Sequence, residues 1–591
     1  MNKKMLTITA VAALVGGSAS YAAQISKDVK SQEKEWSEES VSAHPRMGSS
    51  VKKFVDAQKK NTAKRKVTLK TDPLGRRGGA LKGALNYEIN AADVQKMKVV
   101  VSDVKVNDAP MPTVHGRYEY SPSLNQKAYW LNGFKVDESK FIDQADKRKA
   151  KYDLAKNSFK SPRVAYLTAS EIEKELSSSE TRYVSEYREP KSQVSYGLDV
   201  YWDYQDILKK SGVTDYAHNN SVKGQGVGVY YNEGGCVPDN YVNSDYFVQV
   251  DYPCHGYSTH AIGVARILQT TAPEAKIYSI QDVTYPENVT SYAQPILIGS
   301  QSWGFVYDPD PKTYTDGDAV MDNFIFENRV VEFVAAGNDG RKNIIGSPGR
   351  AFNAISVGAI SPADDKYVYY SSSLNPLSKN DKPEVANYTH FIFPDPTYED
   401  YNGYFSGTSA ATPFMAGMTA NLLSQHRFLW WHPEVVKAVL MAGSNPVQNP
   451  DYDIDGTLDF EAGIPNYSNF SWNDAYRWSF WEGENDAVFD ANREISFTEY
   501  TIQKGKRYRI AISWLTSGEY ALQHQKIAQD IDLSVWQDGK RVAISNSLYN
   551  PFELVEFVAP SSSPLTIKIK RYYNFSTTEK VVLGYAFVSK D

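Results

Sequence analysis

Long hydrophobic runs are nearly absent from this 591-residue chain. The stretch from Leu6 to Val15 is too short to cross a bilayer, which takes about 20 apolar residues, and no later segment is long enough either. A stable membrane span is therefore not expected. That first stretch follows Met1-Asn2-Lys3-Lys4 and precedes Ser20-Tyr21-Ala22, the layout of a secretory signal peptide cleaved after Ala22. The mature protein is expected to be exported and soluble, secreted or periplasmic. An excess of positive charge is also missing. Lys and Arg number 64 against 70 Asp and Glu, a net charge of −6, which argues against nucleic acid as a standing partner. Cysteine is scarcer still, with only Cys236 and Cys254. In an oxidising compartment these two either form one bridge, worth about 3 kcal/mol by chain entropy, or remain two free thiols. The remaining composition, 41% hydrophobic and 13% aromatic, is that of a globular chain long enough for several domains.

What is present is chemistry at four points. Phe405-Ser406-Gly407-Thr408-Ser409-Ala410-Ala411-Thr412-Pro413 places a sharp turn at Gly407 before an apolar run (Phe414, Met415, Ala416, Met418, Leu422, Leu423) that reads as a buried helix. Pro413 fits a first helical turn, where its missing N–H costs nothing. Ser409 then stands at a helix N-terminus, whose unpaired N–H groups favour a developing negative charge. A serine nucleophile in acyl transfer needs that setting. Upstream, Gly226-Val227-Gly228-Val229-Tyr230-Tyr231-Asn232-Glu233 reads as a short strand with Glu233 at its C-terminal end, where catalytic groups gather in open parallel sheets.

Two histidines, His255 and His260, compete to be the base. His260 opens an uninterrupted helical pattern, His260 to Gln269, and is preferred over His255, which follows Cys254 in a loop with Gly256. Val330 to Gly340 reads as a buried strand ending in Ala336-Gly337-Asn338. Asn338 there is either a plain turn residue or a side-chain donor to an oxyanion.

These strings resemble the signatures of subtilisin-like (S8) serine proteases, in the same chain order of acid, histidine and serine. Gly407 to Pro413 matches Gly-Thr-Ser-x-Ala-x-Pro at every fixed position. The strand before Glu233 is similar to the family's Gly-x-Gly-Val-x-Val stretch, with glutamate where the family has aspartate. The resemblance covers about residues 200–465 and implies a secreted endopeptidase acting on proteins or peptides through an acyl-enzyme. It assigns Ser409 as nucleophile, His260 as base, Glu233 as the group that orients the imidazole, and Asn338 as oxyanion donor. It also implies that Ser302, Trp303, Gly304, Ala336 and Gly337 line the substrate cleft, Trp303 as a pocket wall or as core. No cofactor is implied for the chemistry. A different class remains as the alternative: a catalytically degenerate fold serving as a surface binding or adhesion module.

The implied fold is α/β, a subtilisin-like parallel sheet with helices on both faces, preceded by an α+β prodomain and followed by a β-sandwich. Expected boundaries are 1–22 signal peptide, 23–192 propeptide, 193–465 catalytic domain and 466–591 C-terminal domain. Arg163 to Thr168 followed by a helix from Ala169 to Leu176 resembles the end of a prodomain, a segment that assists folding and blocks the cleft. After residue 466, alternation of Tyr508, Ile510, Ile512 and Trp514, of Ile531, Leu533 and Val535, and of Leu565, Ile567 and Ile569 signals strands, with a hairpin at Asp538-Gly539. Asp451, Asp453 and Asp455 before Gly456 resemble the opening of a calcium loop, or else form an acidic surface loop.

Overall fold

Short runs buried on every side build the central sheet. In the computed structural model, seven parallel strands lie in the order Phe247–Gln249, Lys276–Ile280, Gly228–Asn232, Ile296–Gln301, Val331–Ala335, Ile355–Ile360 and Val385–Tyr388. All but the first and the lead residue of the second are buried throughout. That is the pattern of parallel strands covered on both faces. Helix Thr408–Gln425 is buried from Thr408 to Leu423, lies against five of these strands, and packs along helix Thr259–Thr271. The structure describes residues 47–590 apart from 48, 61–64, 69–85, 90–95, 103–109, 122–125, 157–160, 179–180, 182, 188–190, 193–200, 251–255, 282–284, 287, 305–313, 341–344, 374, 377, 395, 397–401, 448–461, 471–475, 485 and 577. The expected signal peptide, Cys254, His255 and the Asp451, Asp453, Asp455 loop lie outside them. Among the described residues, no helix is long and apolar enough to cross a membrane.

Beyond the parallel sheet the chain turns to antiparallel pairing. One sheet runs Phe552–Val558, Arg507–Trp514, Val581–Lys590, Tyr476–Gly483, then Val114–Ser121, Gln126–Leu131 and Phe134–Val136. The other runs Glu494–Glu499, Leu565–Asn574, Gln529–Gln537 and Lys540–Ser545. Asp538 and Gly539 turn the last hairpin with φ of 51° and 74°, the left-handed pair that a tight hairpin requires. Strand Arg507–Trp514 differs from its expected alternation: Ala511 and Ser513 are buried as well. Helix Pro433–Ala442, itself buried along its whole length, lies against this strand and Val581–Lys590, so small residues face the helix while large ones face the sandwich.

A third, smaller sheet orders Arg163–Thr168, Lys96–Ser102 and Tyr183–Glu186. Helices Ser49–Lys60 and Ala169–Ser177 cover it around Val51, Val55, Val99, Val101, Ile172 and Val184. The expected strand and helix at 163–176 are there, the helix running to Ser177, and Thr168 and Glu171 close a reciprocal cap at the helix start. The three strands between Val114 and Val136, placed by sequence in the same N-terminal segment, pair instead into the sheet of the C-terminal region.

Candidate active site

Glu233 and His260 meet although 27 residues separate them. Glu233 directly follows strand Gly228–Asn232, and His260 sits in the first turn of helix Thr259–Thr271, whose Ser258 cap accepts the N–H of Ala261. Glu233 Oε2 and His260 Nδ1 are 2.7 Å apart, with 3% and 10% of the two side chains exposed. Nε2 of His260 is buried with no hydrogen-bond partner. A histidine that donates from Nδ1 to a carboxylate presents Nε2 as its acceptor. Phe405 sets an edge against the imidazole, with ring centroids 5.2 Å apart. Gly263, one turn after His260, makes this possible, since a Cβ there would lie 2.5 Å from the Phe405 ring.

Ser409 is fully buried in the first turn of its helix. Gly407 precedes it with φ of +92°, a conformation that favours glycine. Its hydroxyl donates to the Ser302 carbonyl at 3.1 Å, and the Ser302 hydroxyl donates back to the Ser409 carbonyl at 3.0 Å. Pro413 explains the second bond. It lies one turn deeper than the sequence suggested, inside helix Thr408–Gln425. There its missing N–H leaves the Ser409 carbonyl without the i−4 bond that a helix supplies. Ser302 takes up the vacant acceptor.

Asn338 is fixed through Thr408. Its Oδ1 accepts the Thr408 N–H and hydroxyl, both at 3.0 Å, and the same hydroxyl accepts the Gly337 N–H at 3.2 Å. A backbone N–H can only donate, so the amide oxygen must face Thr408 and the NH₂ group faces away from it. Ala336 stays in the sheet, donating to Val357 O at 3.1 Å. Trp303 and Gly304 are buried and form a short strand paired antiparallel with Lys191–Ser192, Trp303 opposite Ser192 and Gly304 opposite Lys191.

A buried polar chain behind this strand escaped the sequence reading. Trp303 Nε1 donates to Gln301 Oε1 at 3.0 Å, Gln301 Nε2 to Glu332 Oε2 at 3.1 Å, and Tyr230 OH to Glu332 Oε1 at 2.6 Å. Each member sits in a strand that reads as apolar core, and parallel pairing of three of those strands brings Tyr230, Gln301 and Glu332 together. Burial pushes Glu332 up from 4.5 to about 8. Between those values the folded chain holds a proton that the unfolded chain has released, so this contribution to stability is full below about 4.5 and lost as pH rises through about 8. Glu332→Gln carries no such proton. Its melting temperature should fall less than the parent's between about pH 5 and 9, and parallel curves would contradict the assignment.

Comparison with known proteins matches part of the chain. Residues 238–464 match the subtilase family model, peptidase S8. The matched span includes His260, Asn338 and Ser409 and begins just after Glu233. Pyrolysin of Pyrococcus furiosus is 30% identical over 23% of this chain, which covers 12% of that protein's length. Among solved structures, fervidolysin from Fervidobacterium pennivorans, a keratinolytic enzyme related to subtilisin, is 14% identical with a TM-score of 0.38, over 78% of this chain and 71% of that one. The prenylagaramide maturation protease PagA is 20% identical with a TM-score of 0.34, over 44% of this chain and 96% of that one. The parallel sheet and helix Thr408–Gln425 position Glu233, Asn338 and Ser409, and helix Thr259–Thr271 positions His260.

Proposed function

We propose that the chain is an exported serine endopeptidase that cleaves protein or peptide substrates through an acyl-enzyme. The contact between Glu233 and the Nδ1 of His260, with Nε2 left open, carries this reading. Ser409 is the nucleophile, and its hydroxyl must leave the Ser302 carbonyl for Nε2 when it attacks. His260 takes that proton and returns it to the leaving amine, while Glu233 stabilises the imidazolium. Asn338 and the backbone N–H of Ser409 receive the oxyanion. Glutamate is one methylene longer than aspartate, and the 2.7 Å contact is support that its reach is accommodated.

Residues 23–192 act as a propeptide in this reading, supported by the backbone of Lys191–Ser192 lying along Trp303–Gly304 as a peptide adding to a strand does. A bridge between Cys236 and Cys254 belongs to the same proposal, supported by the absence of a free thiol among the described residues. A structural calcium at Asp451, Asp453 and Asp455 is kept as part of it.

Glu233→Gln keeps volume and removes the charge that faces imidazolium. It should lower kcat by about 10⁴-fold, the loss known for the equivalent change in a serine protease, with an unchanged melting profile. Turnover of a denatured protein substrate measures it. Parent-like kcat would move the acid elsewhere.

A further inference from the structure

Residues 110–156 are covalently part of the N-terminal segment and structurally part of the body. Strand Val114–Ser121 pairs antiparallel with Tyr476–Gly483 from Val114 opposite Glu482 to Tyr120 opposite Tyr476. Two further strands, Gln126–Leu131 and Phe134–Val136, continue the sheet outward. Without them Tyr476–Gly483 would become an edge strand with a row of open N–H and C=O groups. The side chains are equally committed. Tyr118 is fully buried among Trp478, Phe428 and Tyr129, at ring separations of 5.3, 5.6 and 4.9 Å. His115 stacks flat on Trp481 at 4.8 Å, and Phe141 stacks on Phe428 at 5.2 Å.

Charge completes the fit. Glu499 is fully buried, and Arg117 reaches it at 2.9 Å with Arg477 at 3.3 Å. Arg148 lies 3.7 Å from Glu482 and 3.5 Å from His432, whose other ring nitrogen faces Glu434 at 2.9 Å. The small sheet of Lys96–Ser102, Arg163–Thr168 and Tyr183–Glu186 has its own core, to which 110–156 contributes no residue. The N-terminal segment therefore holds two pieces with different attachments.

We propose that residues 110–156 stay bound to the subtilase domain and C-terminal sheet after the chain is cut on either side of them, so that the working enzyme contains them as a noncovalent second chain. The activation step rests on the serine endopeptidase reading; the retention does not. Each cut is a hydrolysis that consumes one water and leaves a carboxylate and an amine. Clearing Lys191–Ser192 from Trp303–Gly304 then displaces the small sheet, while the strands of 114–136 remain in place.

The test uses the full chain carrying Ser409→Ala, with recognition sequences for an unrelated site-specific protease inserted directly before Pro110 and directly after Lys156. After cutting, native gel filtration in high salt should show the 110–156 fragment eluting with the body in about equal molar amount, as contacts centred on the fully buried Tyr118 and Glu499 predict. Fragment eluting alone, or precipitation of the cut chain while the uncut chain stays soluble, overturns the proposal. In active enzyme recovered from its producing cells, mass spectrometry should find peptides of 110–156 at the same molar amount as peptides around Ser409. Active enzyme lacking them overturns the proposal and leaves the protease reading intact; retention in an inactive parent does the reverse.

Discussion

Ser409→Ala should abolish hydrolysis. Its hydroxyl is the only one in the first turn of helix Thr408–Gln425 besides Thr408, and Thr408 is spent on Asn338 and Gly337. Loss of the nucleophile should cost about 10⁶-fold in kcat, the figure known for subtilisin's own triad rather than one derived from this chain. The precursor should also remain unprocessed. The substitution removes one oxygen from a buried site and frees the Ser302 carbonyl, so the fold persists. Hydrolysis of a denatured protein, with thermal melting as the control on folding, reads both effects. Turnover near the parent's would end the serine-protease reading.

His260→Ala has a comparable expected effect, again about 10⁶-fold by the known behaviour of subtilisin. Of the two candidate histidines, His260 is the one among the described residues. His260 touches Glu233 at 2.7 Å, is held by the first turn of a buried helix, and has Phe405 against its ring. Proton transfer needs this fixity, because the base must lie within hydrogen-bond reach of the hydroxyl. His255 lies outside the described residues and sits five positions earlier, before the helix begins. His255→Ala should therefore cost less than about tenfold, on the order of 1.4 kcal/mol in barrier. Rate constants for the two variants compared with their melting temperatures decide the matter, and the reverse ranking would move the base to His255.

Much of the site was legible because its signals are local. Gly407 marks a turn, the run after Ser409 marks a buried helix, and strand ends at Glu233 and Asn338 mark the rim of a parallel sheet. What was not legible depends on contacts far apart in the chain. Pro413 reads as a first-turn residue until the helix start at Thr408 and the Ser302 hydroxyl show why a missing N–H is useful there. The Tyr230, Glu332 and Gln301 links of the chain cross three neighbouring strands, Trp303 joins from a fourth, and no single strand betrays it. Alternation revealed strands after residue 466, yet one partner of Tyr476–Gly483 lies 356 residues earlier in the chain, with Tyr120 opposite Tyr476. Periodicity says that a strand has a buried face. It does not say which strand lies beside it.

The most direct test is covalent labelling of the processed enzyme with a fluorophosphonate, followed by peptide mapping. An activated serine reacts with such a probe, whereas an ordinary hydroxyl at a helix cap does not, because the attack needs both the base and the oxyanion donors. The account predicts one adduct per chain, carried by the peptide containing Ser409 and absent from His260→Ala. An adduct on another residue, or none in folded parent enzyme, would contradict it.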